Sequence, residues 1–536
     1  MITPAPVRHD HRRLFMEFRA ANSPAISRLH IGIAHDARNM PAWVRELIDF
    51  FVEVPHFDVS LCPQPNEGSP PGHRESWFAR QLLEPSRRLF DPFAPGPTPA
   101  VPPMPSAPMI RERELDLLLW LAPGPPAAST ARYGAISLEF GDRDIDPPYW
   151  GEVIAGDPVS RVTIRWQEHA STIARVIRAA EIPTLRSFPY TRNAEGCLLA
   201  AIEVLAEVAL DIAQQGPEWV ARARTMPPAP PLSDRRPPSN LESIVFACWE
   251  KYQARRKPDT VPQPMEWFCA LRRDPSKFYT GSGRFERSGL EDIPKAAGAH
   301  MADPFLVADN GVDWLFFEDI PPGQKKGRIS CVRIPEPGED FPAPEVVLEG
   351  ETHLSYPCVF RHEGEYFMIP ESCVSADVRL YRATRFPLEW QLECLLIENF
   401  ALTDTTPLFL DGHWYFFTTT MPPVQQTVLL TSTKLGSPLR LHGHGPVSCS
   451  WRNTRSAGHL FSSGGRLFRP AQDGVIRYGY GISINEVTRL NQSEYRERAA
   501  GYIGPDWRPG LLGTHTLTAN QRLEVIDARR YAEGRA

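Results

Sequence analysis

Three acidic residues in the second half of the sequence stand where a carboxylate could do chemistry. Asp303 opens the segment Asp303-Pro-Phe-Leu-Val, and Asp404 opens a corresponding segment, Asp404-Thr-Thr-Pro-Leu-Phe. Glu371 ends an apolar run, where a buried, unpaired carboxylate is costly and tends to keep its proton. Such a group can take a proton from a hydroxyl or donate one. We therefore select Asp303, Asp404 and Glu371 as candidate catalytic residues. The alternatives are turn roles for the two aspartates and an ion pair for Glu371.

Cationic and polar residues in the same half could hold a ligand. Arg455 and Arg469 could together clamp a diphosphate, because guanidinium groups bind phosphate through paired hydrogen bonds. The alternative is that both form ion pairs within the fold. Further candidate binding residues lie near the predicted strand ends. They are His353, Tyr356, Gln472, Asp473 and His515. Histidines at strand starts are also often satisfied by the backbone, and that alternative stays open here.

Motifs for a cofactor or a metal are missing from the sequence. It contains no Walker loop, no G-x-G-x-x-G or G-x-S-x-G motif, and no spacing typical of metal ligands. The nine cysteines are dispersed without a C-x-x-C pair, which argues against a disulfide framework and a structural zinc site. We expect no cofactor, no metal, and a reducing, cytoplasmic location.

The candidate residues lie in a repeated strand–turn–strand pattern. Five such segments begin near residues 303, 356, 406, 457 and 513, at intervals of 50 to 56 residues. A hairpin repeat of about 50 residues is typical of a β-propeller. We therefore predict an all-β five-bladed propeller over residues 286–536.

The first half alternates between strand and helix patterns. Strands are predicted at 29–34, 58–62, 115–121 and 133–138, and helices at 41–51 and 195–213. This order predicts an α/β domain with a mostly parallel sheet over residues 27–225. Residues 226–239 hold six prolines in fourteen positions. We predict a Pro-rich linker with helices over 226–285.

Size and charge exclude several classes of protein. The 536 residues exceed one ordinary domain. A net charge of −6 provides no large basic field, so we expect no nucleic-acid partner. The N-terminus lacks the apolar core of a secretory signal, and no apolar run reaches about 18 residues, so we expect no membrane span. The oligomeric state cannot be read from the sequence.

Several short motifs together resemble one family. They are ADPFLV (302–307), HLSYPCVF (353–360), YFMIPES (366–372), DTTPLFLDGHWYFFTT (404–419), RLFRPAQD (466–473), YGYGISINEV (478–487) and GTHT (513–516). The stretch is similar to the propeller module at the N-terminus of glucosamine inositolphosphorylceramide transferases and of bacterial relatives. The ceramide-linked transferases carry a separate catalytic domain after the propeller. We expect this sequence, which ends at Ala536, to lack that domain.

Two weaker resemblances bear on chemistry. The propeller is similar in architecture to five-bladed glycosidases of the arabinanase and invertase kind, which place an acidic Glu in the fourth blade, where this sequence has Arg455. The first domain resembles the Rossmann-like formyltransferase fold around residues 131–153. That family's catalytic Asn and His align with Ser137 and Glu139. Without those groups we expect this domain to be degenerate and inactive as a formyltransferase.

These patterns predict a carbohydrate-active enzyme, a glycosyltransferase in glycoconjugate or polysaccharide biosynthesis with its site in the propeller funnel. Its ligand would be a sugar or nucleotide-sugar. Asp303 or Asp404 would deprotonate the acceptor hydroxyl, and the arginines would stabilise the departing phosphate. One alternative is a non-catalytic sugar-binding or scaffold protein, since fold alone does not determine function. A lesser alternative is a glycoside hydrolase with Glu371 as the acid.

Overall fold

The structure, a computed structural model, divides into two units, Met1–Asp259 and Thr260–Ala536. It describes residues 5–22, 26–36, 40–64, 115–122, 126, 129–140, 149–186, 191–224, 245, 248, 264–421, 425–443 and 445–532. No helix in these ranges is both long enough and apolar enough to cross a membrane.

The first unit is built on a six-stranded sheet with helices. Its strands are β1 (Leu29–Asp36), β2 (Phe57–Gln64), β3 (Leu117–Trp120), β4 (Ala135–Phe140), β5 (Val159–Gln167) and β6 (Ala174–Pro183). Its described helices are α1 (Ala5–Ala21), α2 (Ala42–Glu53), α3 (Trp150–Ala155), α4 (Thr191–Gln215) and α5 (Pro217–Ala223). The spatial order is β2-β1-β3-β4-β5-β6.

The sheet is parallel from β1 to β4 and antiparallel from β4 to β6. The predicted strands and the two predicted helices are all present, which confirms a sheet with helices. Three of the five strand pairs are parallel, as predicted for a mostly parallel sheet, and β5 and β6 add an antiparallel hairpin beside β4. The finer prediction of a formyltransferase-like fold stays a prediction. Glu139 on β4 pairs with Arg165 on β5, Oε2 to Nε, at 2.6 Å.

Buried charges tie α1 and β6 to α4. Asp211 accepts from Arg19 at 2.6 Å and from Arg178 at 2.7 Å, and Glu207 lies 3.3 Å from Arg178. Asp211 and Glu207 are fully buried on α4. Because a buried carboxylate without a cation is costly, these arginines are what permit acidic residues on an otherwise apolar helix.

The second unit contains five antiparallel sheets, which confirms the predicted five-bladed propeller. The first sheet contains β9 (His300–Asp309), β10 (Val312–Ile320), β11 (Arg328–Arg333) and β12 (Glu345–Leu348). The second sheet contains β13 (Ser355–His362), β14 (Glu365–Glu371), β15 (Val378–Arg385) and β16 (Glu389–Ile397). The third sheet contains β17 (Leu402–Leu410), β18 (His413–Thr420), β19 (Thr427–Ser432) and β20 (Arg440–Leu441). The fourth sheet contains β21 (Phe461–Ser463), β22 (Arg466–Asp473), β23 (Gly481–Leu490) and β24 (Tyr495–Ile503).

The fifth sheet joins strands from both ends of this unit. It contains β7 (Met265–Arg272), β8 (Glu291–Asp292), β25 (Leu511–Gly513), β26 (Leu517–Ala519) and β27 (Glu524–Tyr531). β7 pairs with β27 along its whole length, from Met265 opposite Tyr531 to Arg272 opposite Glu524. Short helices lie at α6 (Tyr279–Ser282) and at three 3₁₀ turns, Pro275–Lys277, Cys373–Ser375 and Pro505–Trp507.

The strand β7 corrects the predicted domain boundary. It lies in the range assigned to a linker, but its central residues are 2 % exposed or less and belong to the propeller core. The propeller therefore begins before residue 286. Apart from Val245 and Cys248, the predicted linker at 226–263 lies outside the described residues.

Candidate functional site

Asp303, Tyr356 and Asp404 occupy the same position in the first strands of three successive blades. At each one the first strand gains a residue relative to its partner strand. The backbone there is left-handed, with φ of 51°, 44° and 51°. A β-bulge re-aims the side chain of its extra residue. Two carboxylates are thus presented from equivalent points of the first and third blades.

Arg455 from the fourth blade joins the carboxylates of Asp404 and Glu371. Its Nε is 2.6 Å from Asp404 Oδ2, and its Nη2 is 2.9 Å from both Asp404 Oδ1 and Glu371 Oε2. Gln472 donates to Asp404 Oδ2 at 3.1 Å, and the Cys373 thiol donates to Glu371 at 3.0 Å. One guanidinium therefore binds two carboxyl groups contributed by two other blades.

The surroundings shift the pKa values of these two carboxyl groups in opposite directions. Burial and the neighbouring Asp404 raise the pKa of Glu371 well above its usual value. Burial acts on Asp404 in the same direction, but Arg455 and a hydrogen bond from Glu371 hold the pKa of Asp404 below its ordinary value. When the pair holds one proton, these shifts favour its position on Glu371.

A second group surrounds Asp303. His515 Nδ1 lies 2.6 Å from Asp527 Oδ2 and 3.8 Å from Asp303 Oδ1. The Thr516 hydroxyl donates to Asp303 Oδ1 at 2.8 Å, and the Tyr356 backbone N–H donates to Oδ2 at 3.3 Å. Asp303, His515 and Asp527 are each less than 5 % exposed. These contacts fix the orientation of the Asp303 carboxyl group.

Burial and neighbouring charges raise the pKa values of Asp303 and His515. Burial raises the pKa of Asp303 to about 7, although the His515 charge opposes the rise. Burial disfavours the charged form of His515, but the carboxylates of Asp527 and Asp303 outweigh it and raise the pKa of His515 to about 9. At neutral pH His515 is therefore a cation beside a carboxyl group that readily gains or loses a proton.

Tyr478 and Trp267 connect the two groups. The Tyr478 ring lies 5.2 Å from the Arg455 guanidinium and 5.6 Å from the His515 ring. Trp267 stacks on the His515 ring, with centroids 4.0 Å apart. We call the joined set the central cluster. It comprises Asp303, Glu371, Asp404, Arg455, Tyr478, His515 and Asp527.

Among the described residues, Asp303, His515 and Asp527 have the arrangement closest to a metal site, with possible ligand atoms within 4.8 Å of one another. The 2.6 Å contact between His515 and Asp527 is a hydrogen-bond distance. Hydrogen bonds and opposite charges account for this grouping without an ion.

Two predicted binding residues face away from the central cluster. Arg469 is fully buried and makes a paired contact with Glu497, at 2.8 and 2.7 Å. The Asp473 carboxylate accepts from the backbone N–H of Val475 at 3.0 Å. The predicted clamp of Arg455 and Arg469 is therefore wrong. Side chains alternate along β22, so Gln472 faces Asp404 while Arg469 and Asp473 project from the opposite face.

Tyr356 and His353 have structural contacts of their own. The Tyr356 side chain is fully buried, and its hydroxyl accepts from the Gly458 N–H at 2.9 Å and lies 2.8 Å from the Thr406 hydroxyl. His353 Nδ1 accepts from the Gly327 N–H at 2.9 Å, and Nε2 lies 3.1 Å from Glu318. That hydrogen bond to Glu318 raises the pKa of His353. The Tyr356 side chain therefore has no free polar group for a ligand.

Sequence reasoning missed two members of the central cluster, Asp527 and Tyr478, and the neighbouring Trp267. Asp527 is an acidic residue inside the apolar strand β27, a pattern that could have marked it. Tyr478 stood in a motif already noted for its resemblance but was not selected. Trp267 was assigned to the linker, so its contact with His515 could not be anticipated.

Fold and site together define a five-bladed propeller with carboxylates, an arginine and a histidine at its centre. Residues 291–503 match the family described as "Glucosamine inositolphosphorylceramide transferase 1, N-terminal". The predicted resemblance of the propeller to this module is thereby confirmed.

Curated relatives agree with the family match. A protein named glucosamine inositolphosphorylceramide transferase 1 from Oryza sativa subsp. indica is 35 % identical over 241 residues, which is 44 % of this chain and 32 % of the relative. The Arabidopsis thaliana protein of the same name is 31 % identical over 205 residues, covering 37 % and 26 %. The chain thus spans about a third or less of the length of these relatives.

Solved structures with a similar architecture include two glycan-cleaving enzymes. An exo-beta-1,3-galactanase from Clostridium thermocellum has a TM-score of 0.33 and 12 % identity, over 42 % of this chain and 58 % of that one. The native arabinanase of Bacillus subtilis has a TM-score of 0.31 and 11 % identity, over 42 % and 93 %. These values carry no inference about activity.

Proposed function

We propose that this protein is a glycosyltransferase in glycoconjugate or polysaccharide synthesis, and that the central cluster is where it acts. The observation that carries the proposal is the convergence of Asp303, Glu371 and Asp404, from three blades, on Arg455 and His515 from the other two. The name of the matching family, a glycosyltransferase, supports the class of reaction.

Asp303 would act as the general base. Its pKa of about 7 suits a group that must accept a proton near neutral pH. Thr516 and the Tyr356 N–H orient the carboxylate, and the His515 cation favours its ionised form. In a displacement, Asp303 would remove the proton of the acceptor hydroxyl as that oxygen attacks the anomeric carbon of the donor.

Glu371, Asp404 and Arg455 would hold the sugar. A protonated carboxyl beside an ionised one offers both a donor and acceptors to sugar hydroxyls. Arg455 Nη1 has no hydrogen-bond partner within the described ranges, whereas Nε and Nη2 are both engaged. The remaining guanidinium donor could therefore bond a ligand oxygen without releasing the two carboxylates.

A non-catalytic sugar-binding function is the second candidate. It is favoured by the degree to which Arg455 and the Glu371–Asp404 pair already satisfy one another, since such a network suits a rigid pocket. A hydrolase with Glu371 as acid is a lesser candidate, favoured by the raised pKa of Glu371. We also propose a reducing, cytoplasmic location, in keeping with the free thiols of all nine cysteines.

The proposal is tested by assaying sugar transfer from a panel of nucleotide-sugars to lipid and glycan acceptors, with release of free sugar measured in parallel. Asp303→Asn should lower kcat by about 10²-fold or more, as expected for loss of a general base, while ligand affinity stays within a few-fold. Glu371→Gln is compared with Glu365→Gln, an exposed residue on the same strand that serves as the control. Full activity in Asp303→Asn, or binding with no turnover by the native protein, would contradict the transferase. Free sugar as the main product would favour the hydrolase.

A further inference from the structure

Arg529 borders the central cluster without belonging to it. It follows Asp527 by two residues on β27, so both side chains project from the same face of the strand. The Arg529 guanidinium lies 5.4 Å from the centroid of the Trp267 ring. The same ring stacks on His515 at 4.0 Å. Arg529 is therefore separated from the cluster by a single aromatic side chain.

Arg477 lies on a loop of the fourth blade that packs against Trp267, since a side-chain carbon at Gly479 would lie 2.9 Å from that ring. It immediately precedes Tyr478, whose ring contacts Arg455 and His515. Arg477 is exposed, and its guanidinium lies 5.8 Å from the centroid of the Tyr480 ring. Together with Tyr480 and Tyr502 it lines a cleft of about 1240 Å³. The loop of residues 474–480 thus presents Tyr478 to the cluster and Arg477 to an open space large enough for a ligand.

Neither arginine has a carboxylate partner within 4.0 Å in the described part of the chain. The adjacent Arg530 differs, because its Nε pairs with Glu266 at 3.0 Å and its Nη1 with Asp292 at 2.9 Å. Arg529 Nε is buried without a hydrogen-bond acceptor. Burial and the proximity of Arg477 both lower the pKa of Arg529. The buried Arg529 Nε could therefore donate to a bound anion, and the exposed guanidinium of Arg477 could approach the same ion.

We propose that Arg477 and Arg529 bind a phosphate or diphosphate group of the substrate. This pair would bind the diphosphate that the sequence analysis assigned to Arg455 and Arg469. Guanidinium forks bind phosphate oxygens in pairs, and the rings of Tyr480 and Tyr502 in the cleft offer flat surfaces for a sugar or a base. Identifying the anion as part of a sugar substrate rests on the proposed transferase function, whereas the anion binding itself does not.

Two substrates could supply this group. One is the nucleoside diphosphate of a sugar donor, and the other is a phosphate ester on the acceptor. Isothermal titration of the full chain at low salt with inorganic pyrophosphate, UDP and inositol 1-phosphate separates them. Tighter binding of UDP assigns the site to the donor, and tighter binding of inositol phosphate assigns it to the acceptor.

The variants are Arg477→Ala and Arg529→Ala, each expected to weaken pyrophosphate binding about tenfold or more, as is typical for loss of a charge-assisted hydrogen bond. Arg489→Ala is the matched control, an exposed arginine of the same blade that pairs with Glu494, and should bind within about twofold of the native protein. Arg529→Lys is included because it keeps the charge and the packing on Trp267 while losing the fork. It should bind more weakly than the native protein and more tightly than Arg529→Ala.

The proposal is overturned if pyrophosphate does not bind, or if Arg477→Ala and a folded Arg529 variant bind as the native protein does. The same titrations on Asp303→Asn separate this result from the proposed function. Arginine-dependent binding in a protein with no transfer activity would leave the anion site standing and remove the transferase. Asp303-dependent transfer without arginine-dependent binding would support the transferase and remove the anion site.

Discussion

At the scale of single residues, Arg455 is what allows two carboxyl groups to lie buried side by side. Asp404 is 2 % exposed, and its oxygens accept from Arg455 at 2.6 and 2.9 Å, contacts that favour its ionised form. Arg455→Ala would leave that charge buried without a cation. We expect a loss of about 3–5 kcal/mol in the free energy of unfolding, measured by chemical denaturation.

The double variant Arg455→Ala/Asp404→Asn is the control for this prediction. It removes the uncompensated charge together with the arginine, so it should recover a large part of the loss. If Arg455→Ala alone unfolds within 1 kcal/mol of the native protein, then Asp404 must not be ionised in the way proposed.

His515 makes the stability of the propeller depend on pH above neutrality. Its pKa rises from 6.5 in the unfolded chain to about 9 in the folded one, so folding favours its charged form. The resulting stabilisation is complete below pH 6.5 and is lost as pH rises through 9. A rise of that size corresponds to on the order of 3 kcal/mol. The pKa of Asp303 is raised to about 7, so its contribution to the free energy of unfolding is lost at lower pH, between about pH 4 and 7.

Chemical denaturation at pH 6.5, 7.5, 8.5 and 9.5 measures this effect. The native protein should lose stability steadily over that range. A variant without either titrating group, His515→Asn/Asp303→Asn, should be less stable at pH 6.5 and nearly independent of pH above it. Equal slopes for the two proteins would show that some other group titrates.

The candidate residues divide, at this scale, into those that sequence could find and those it could not. Asp303 and Asp404 were found because a carboxylate recurs at one point of a repeated hairpin. Arg455 and Arg469 look alike in the sequence, yet Arg469 projects from the face of β22 opposite to Gln472 and pairs with Glu497. Which face of a strand points inward depends on its register, and a bulge in a neighbouring strand alters that register.

At the scale of elements, the five hairpins were predictable and the closing strand was not. Each hairpin keeps its two strands adjacent in sequence, so apolar alternation and a turn identify it. β7 has no such partner nearby, because it pairs with β27, more than 250 residues later. Its sequence, MEWFCALR, is short and bounded by prolines, and nothing local connects it to the end of the chain.

This closure predicts different outcomes for two fragments. Residues 260–536 retain β7 and should fold with a cooperative unfolding transition. Residues 286–536 lose β7, whose buried Phe268 and Leu271 contribute to the cores between blades. We expect that fragment to aggregate or to unfold without cooperativity, as followed by circular dichroism during denaturation. Equal stability of the two fragments would mean that β7 is dispensable.

At the scale of the whole molecule, every residue of the central cluster and both arginines of the proposed anion site belong to one unit, Thr260–Ala536. The other unit has its own sheet and its own buried charges around α4. Alternating strand and helix patterns predicted that unit's sheet, but Arg19 and Arg178 pair with Asp211 from distant points of the sequence. Such pairings become visible only when the fold is known.

Separate cores and a site confined to one unit predict that damage to the first unit leaves the second functional. Asp211→Ala should remove the shortest ion pairs of Arg19 and Arg178, leaving Glu207 as their acidic neighbour at 3.9 and 3.3 Å, and should destabilise the first unit by about 3 kcal/mol. Denaturation of this variant should show an earlier transition than the native chain, with the propeller transition unmoved. Pyrophosphate affinity and any Asp303-dependent transfer should stay within about twofold. If pyrophosphate affinity and Asp303-dependent transfer both fell in this variant, then the propeller would depend on the first unit for its function.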